Sequence, residues 1–178
     1  MGPKDIKRIR EAEKNDVVTK DGITLFWGGW PSQWYPSTFV IDGLEYNCAE
    51  QRMMWSKARF FSDEACAKKI LEAKWPKAQK ELGRTAKPYS KDWDEAHASR
   101  AIVLRGTLAK FRQDEELRKL LLATKGTRIA EASPYDDLWG IGLSQDDPRA
   151  RDPPAWIGKN WLGLALMQAR DILGDEVA

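Results

Sequence analysis

The sequence predicts an α+β fold: a single compact, mostly helical domain around a small β-sheet. Three observations predict it. Short runs of β-forming residues cluster in the first third of the chain and end at Gly-Gly or Asp-Gly pairs. Capped, amphipathic segments fill most of the remainder. The length of 178 residues, 42% hydrophobic and 31% charged, suits one domain with a sizeable core and excludes a disordered or collagen-like chain.

Taken in order, Lys4 to Asn15 is highly charged and reads as a loose helix. It belongs to a charged N-terminal segment, residues 1–20, ahead of a domain at residues 21–178. Ile23 to Trp27 is a strand closed by Gly28-Gly29. Trp30 to Ser37 is a loop with two prolines and three aromatics, unusual because loops normally carry small polar residues. Thr38 to Ile41, Asp42-Gly43 and Leu44 to Tyr46 form a hairpin with the favoured Asp-Gly turn. Asn47 is the expected N-cap of a helix from Cys48 to about Phe60. Ser62 or Asp63 starts the next helix, to about Lys74. Pro76 opens a short helix that ends before Gly83. Ser90 caps a longer one through Trp93, Ala101 and Leu104, with Ala109-Lys110-Phe111 near its end, and Asp114 opens Glu115 to Ala123. Ile129 to Ala132 is a short strand, and Tyr135 to Ala155 is mostly loop. The last helix, Asn160 to Leu173, sets Leu162, Ala165, Leu166, Ala169 and Leu173 on one core face.

Composition narrows the function. The net charge is +2, from 29 basic and 27 acidic residues. That balance argues against a general nucleic-acid scaffold but leaves room for a local phosphate pocket. Two cysteines are too few for a disulfide framework, and a single histidine makes a zinc site unexpected. No apolar run approaches the ~20 residues of a membrane helix, and Met1 to Asp5 is followed by no apolar leader, so a cytoplasmic protein without a membrane partner is expected. Nine tryptophans serve either a Trp-rich core or flat surfaces for stacking on a base or sugar.

Several residues could carry chemistry. Glu50 falls in the first turn of its helix, where it is either an ordinary carboxylate favoured by the helix dipole or, given Met53, Met54 and Trp55 beside it, a buried one that must be paired or shifted. Lys57 lies two turns later on the same face, about 10 Å along the axis, with an arm that leans back toward Glu50. It is either a surface lysine or the partner of Glu50 in one pocket. Arg84, after Gly83, is a solvated charge or a phosphate clamp. Trp93 is a core residue or a stacking wall. The loop from Ala132 to Gly142 joins a Ser-Pro turn, Asp136-Asp137, Trp139 and two glycines, of which Gly140 allows close backbone approach. Gly158-Lys159-Asn160 leads into the last helix like an anion site, without phosphate-loop spacing.

Together these residues resemble the NADAR family. The resemblance rests on Asn47-Cys48-Ala49-Glu50-Gln51, Met53-Met54, Lys57-Ala58, Leu82-Gly83-Arg84, Trp93, Lys110-Phe111, Glu131-Ala132-Ser133-Pro134, Asp136, Trp139-Gly140-Ile141-Gly142, Gly158-Lys159-Asn160 and Leu162-Gly163, in the family order from about Phe26 to Leu173. It implies an N-glycosidase without metal or redox cofactor, acting on a ribose joined through nitrogen to a base. One branch hydrolyses phosphoribosylamino-pyrimidine intermediates of riboflavin synthesis, and another removes ADP-ribose from guanine in DNA or RNA. The second is the expectation for this chain. The family glutamate, lysine, tryptophan and aspartate fall on Glu50, Lys57, Trp93 and Asp136. The loop Ser144 to Pro154 is long and is expected beside the site, where it would bear on substrate choice.

Cleavage of an N-glycosidic bond passes through an oxocarbenium-like sugar. It needs negative charge near C1, a proton for the base, and water or an enzyme nucleophile. Glu50 and Asp136 supply the carboxylates. Two routes are open: Glu50 orients the ribose or activates a water while Asp136 stabilises the cation or protonates the base, or Lys57, among apolar neighbours that favour its neutral amine, forms an imine with the opened ribose. Arg84 and Lys159 are expected on phosphate oxygens, Trp93 and Trp139 on a base, with Gly140 and Asn160 completing the substrate contacts. A non-catalytic ADP-ribose or nucleotide reader would keep the tryptophans and basic residues but has no use for Glu50 with Lys57.

Overall fold

The structure, a computed structural model, describes residues 2–95 and 97–176. The chain runs α1 (Pro3–Ala12), β1 (Val17–Lys20), β2 (Ile23–Phe26), β3 (Phe39–Ile41), β4 (Leu44–Tyr46), α2 (Ala49–Phe60), α3 (Glu64–Glu72), α4 (Pro76–Thr85), α5 (Asp92–Glu95), α6 (Ala98–Gln113), α7 (Glu115–Leu122), β5 (Arg128–Glu131) and α8 (Trp161–Asp175), with two 3₁₀ turns at Pro148–Arg151 and Pro153–Ala155. It is α+β, one compact domain.

The strands make two small sheets rather than one. In the first, the order is β1-β2-β5, with β1 antiparallel and β5 parallel to β2. All four β2 residues are buried, as expected of a central strand covered on both faces. The β3–β4 hairpin stands apart. Its turn residues Asp42 and Gly43 both have positive φ, 52° and 78°, the geometry that an Asp-Gly turn favours. The β1–β2 turn uses the same device at Asp21 and Gly22, with φ 53° and 73°. β1 itself was not among the expected strands: three of its four residues are exposed, so it carries no alternating pattern.

Three local expectations are corrected. Cys48, not Asn47, is the N-cap of α2. The Asn47 side chain instead donates to the Ala73 and Lys74 carbonyls and accepts from Gln79. Gly83 does not stop α4, which runs on to Thr85. A Cβ there would run into the Met54 side chain, so glycine serves the close approach of α4 to α2. The helix expected from Ser90 is broken: α5 ends at Glu95, Ala96 lies outside the described residues, and His97 at φ 60° precedes α6.

The core joins α2, α6, α8 and the first sheet through Phe26, Met53, Phe111, Leu162 and Leu166 among others. Charged pins hold the aromatic loop against it. Lys110, 1% exposed, donates from Nζ to the carbonyls of Trp30 (2.7 Å) and Ser32 (2.9 Å), and burial pushes its ammonium down to about 7. Arg10 donates to the Pro36 carbonyl and pairs with Asp114 at 2.8 Å. These contacts tie α1 to the domain and leave Trp30 and Tyr35 inside, with Trp34 at the surface.

Candidate active site

Two parallel strands, β2 and β5, end side by side, and the space beyond the carboxyl ends of such strands is where α/β sheets take ligands. Here α2 and α4 close that space into a cavity of about 290 Å³. Glu50, Met53, Met54 and Lys57 line it from α2, Lys80 and Arg84 from α4, and Trp93 from α5. Glu131 lines it from the end of β5, Asp136 and Trp139 from the following loop, and Trp34 from the aromatic loop.

Glu50 is the most deeply buried of the charged residues that line this cavity, 5% exposed. Its backbone N–H donates to the Gln33 carbonyl at 2.9 Å, which joins α2 to the aromatic loop. Its Oε1 is buried and has no hydrogen-bond partner among the described residues. Burial pushes the carboxyl up from its ordinary value, with Asp136 adding to that. Lys80, a hydrogen bond from the Trp34 side chain and Arg84 oppose it. A buried acceptor oxygen facing a cavity is suited to a sugar hydroxyl or a water.

Lys57 lines the same cavity, as the two-turn spacing from Glu50 requires. Its Nζ lies 5.8 Å from the Tyr89 ring centroid. The wall beside it is aromatic but partly open, since Phe60 is exposed and Phe61 buried. Asp136 is fixed by its own turn: Oδ1 accepts from Leu138 N at 3.0 Å and Trp139 N at 2.7 Å. Trp139 is half-buried and meets Trp161 edge-on, with centroids 5.6 Å apart.

The cavity thus brings together Glu50, Lys57, Arg84, Trp93, Asp136 and Trp139. Gly140, Lys159 and Asn160 are not among its lining residues. Gly140 is packed so that a Cβ would meet the Asp136 and Glu131 carbonyls at 2.8 and 2.9 Å. Lys159 is exposed, with Nζ 5.2 Å from the Trp161 ring centroid. Asn160 is buried, and its side chain bridges to β5, donating to the Ile129 carbonyl (2.9 Å) and accepting from Glu131 N (3.2 Å). It thereby positions Glu131.

Among the aromatic and charged lining residues, Trp34, Lys80 and Glu131 carry no role in the sequence reading. Lys80 precedes Arg84 by four residues, the spacing that puts both on one helix face. Glu131 stands in the Glu131-Ala132-Ser133-Pro134 motif, but its half-buried place at the cavity comes from the pairing of β5 with β2. Burial, then Asp136, push the Glu131 carboxyl up to about 8, with Glu50 adding and Lys80 opposing. A carboxyl raised in this way is suited to holding a proton near neutral pH. A larger groove of about 900 Å³ runs beneath α1, where Arg10 already pairs with Asp114 and Glu116. Among the described residues no group of three or more His, Cys, Asp or Glu side chains converges to hold a metal, and no helix is long and apolar enough to cross a membrane.

Comparison with known proteins shows the family. The NADAR domain model matches residues 25–174. Protein irg-1 of Caenorhabditis elegans is 40% identical over 133 residues, 73% of this chain; the chain spans 62% of that relative's length. N-glycosidase R617 of Acanthamoeba polyphaga mimivirus is 40% identical over 166 residues, 90% of this chain and 91% of its own. The NMR structure of the E. coli protein YbiA superposes with a TM-score of 0.73 at 29% identity, covering 93% of each chain.

Proposed function

The chain belongs to the NADAR family, and from that membership we propose that it is an N-glycosidase that removes ADP-ribose from ADP-ribosylated guanine in nucleic acid. The observation that carries the reading is the buried, unpartnered Glu50 Oε1 in one cavity with Lys57, Asp136 and the basic pair Lys80 and Arg84. A nucleotide reader needs the basic pair and the tryptophans. It does not need a desolvated carboxylate in one cavity with a lysine.

In the proposed reaction the ribose lies against Glu50, which accepts a hydrogen bond from a sugar hydroxyl and offsets charge growing at C1. Glu131, protonated at neutral pH, gives its proton to the departing nitrogen, and Asp136 faces the cationic sugar. The Lys57 amine bonds to C1 as the base leaves. The ring oxygen then departs from C1, taking up a proton, and leaves an imine between C1 and Nζ. Water adds to C1 and frees the lysine. The sum is one water consumed, with ADP-ribose released and the guanine of the nucleic acid restored. Arg84 and Lys80 bind the phosphates, Trp93 and Trp139 the base.

The inner cavity alone suits a ribose phosphate on a pyrimidine, so the riboflavin intermediate is the second substrate to examine. Incubation with ADP-ribosylated guanosine oligonucleotide and, separately, with phosphoribosylamino-pyrimidine tests the reading by the mass of released products. Release of ADP-ribose from the oligonucleotide supports the first. Turnover of the pyrimidine alone supports the second. Turnover of neither overturns the enzyme.

A further inference from the structure

The inner cavity opens into a second chamber of about 560 Å³, and Trp34, Lys80, Arg84, Glu131 and Asp136 are walls of both. The outer wall carries Trp27 and Tyr135, 54% and 85% exposed, with ring centroids 6.0 Å apart and planes tilted by 46°. Trp27 follows the last residue of β2, and Tyr135 lies four residues past the end of β5, so both stand at the carboxyl ends of the parallel pair. Large aromatic surface left in water is unfavourable, and an adjoining exposed pair on a chamber wall marks a place for a flat ligand. The mechanism uses neither residue.

Charge says what kind of flat ligand. Where the chambers meet, Lys80 and Arg84 offer two cations for phosphate oxygens. Farther out the wall carries Glu13 and Asp16, and Glu13 Oε2 already accepts from Gly29 N at 2.9 Å. Carboxylates repel further phosphates but accept hydrogen bonds from hydroxyls and exocyclic amines. The order outward is therefore carboxylates and lysine for the reacting ribose, cations for phosphate, then aromatics and acids for a neutral nucleoside.

We infer that the outer chamber is a binding site for a second nucleoside, joined to the reacting ribose through phosphates, with its base stacked on Trp27 and Tyr135. The inference rests on the glycosidase reading for what occupies the inner cavity. It makes the outer chamber the part of the protein that distinguishes a dinucleotide-like sugar from a simple ribose phosphate.

Calorimetric titration with ADP-ribose and with ribose 5-phosphate tests it. The wild-type protein should bind ADP-ribose more tightly. Trp27→Ala with Tyr135→Ala should weaken ADP-ribose about tenfold or more, the effect of losing a stacking platform, while ribose 5-phosphate changes by less than about twofold. Trp27→Phe with Tyr135→Phe should restore most of the loss and shows that the pair acts as rings. Equal affinity of the two ligands for wild type, or equal weakening of both by the alanine variant, overturns the subsite even if glycosidase turnover is seen. A ring-dependent preference in a protein that cleaves no N-ribosyl substrate leaves the subsite standing and sinks the glycosidase reading instead.

Discussion

Asp136 and Trp139 are joined by a single hydrogen bond: Trp139 N donates to Asp136 Oδ1 at 2.7 Å, and Leu138 N shares that oxygen at 3.0 Å. The carboxylate facing the cavity is therefore also the clamp that sets the position of the indole wall. The two tasks separate by substitution. Asp136→Asn keeps an acceptor oxygen for the turn and loses the charge, so kcat should fall while denaturant midpoints move little. Asp136→Ala loses both and should cost a further ~1–2 kcal/mol of stability. Full turnover in Asp136→Asn would mean that Asp136 is only a clamp.

In the proposed mechanism Glu131 sets the alkaline limit. Its carboxyl is raised to about 8, above the ordinary carboxylate range, so the protonated form is present below that value and is lost as pH rises through it. Its contribution to folding has the same sign: full at acid pH and lost as pH rises through about 8. As the proton donor, it should make kcat/KM fall above pH 8 by about tenfold per unit. Glu131→Gln should be slow at all pH values and show no such limb. An unchanged alkaline limb in Glu131→Gln assigns the titration elsewhere.

Lys110 holds the loop that presents Trp34. Lys110→Met removes both donors from the buried Trp30 and Ser32 carbonyls, at a cost of ~2–3 kcal/mol. Because Glu50 N is bonded to the same loop at Gln33, KM should rise along with the loss in melting temperature. A variant that melts early but keeps the parent KM would show that the loop is not coupled to the site.

The nucleophile is tested by trapping. Borohydride added during turnover should reduce the imine and leave the mass of the sugar on the peptide carrying Lys57. Lys57→Arg keeps the charge, cannot form the imine, and should lose both adduct and turnover. Near-normal turnover in Lys57→Arg, or no adduct under active turnover, points to direct attack by water with Glu50 and Asp136.

What could be read from the sequence follows the range of the forces involved. The Asp42-Gly43 hairpin, the Asp63 and Asp114 caps and the apolar face of α8 are local signals and stand in the structure. The Asp21-Gly22 turn was as legible as its counterpart, but β1 is a polar edge strand without alternation. Glu50 and Lys57 share a cavity because helix geometry alone puts them on one face. Asn47 looked like a cap because its neighbours made one plausible; its side chain is drawn instead to carbonyls 26 and 27 residues away. Glu131 and Trp34 needed the tertiary fold. One is half-buried at the end of a paired strand, and the other belongs to a loop whose shape is set by Lys110 and Arg10 from distant helices.

The central claim is that the Glu50 carboxylate drives cleavage of an N-ribosyl bond in this cavity. Gln at position 50 keeps the shape and most of the hydrogen bonding, and removes a charge that burial disfavours, so the variant should melt at or above the parent. The most direct measurement is single-turnover release of ADP-ribose from ADP-ribosylated guanosine oligonucleotide, followed by mass, for wild type and Glu50→Gln side by side. The account predicts release by wild type and a loss of at least about a hundredfold in the folded variant. Wild-type rates in a folded Glu50→Gln protein would contradict it.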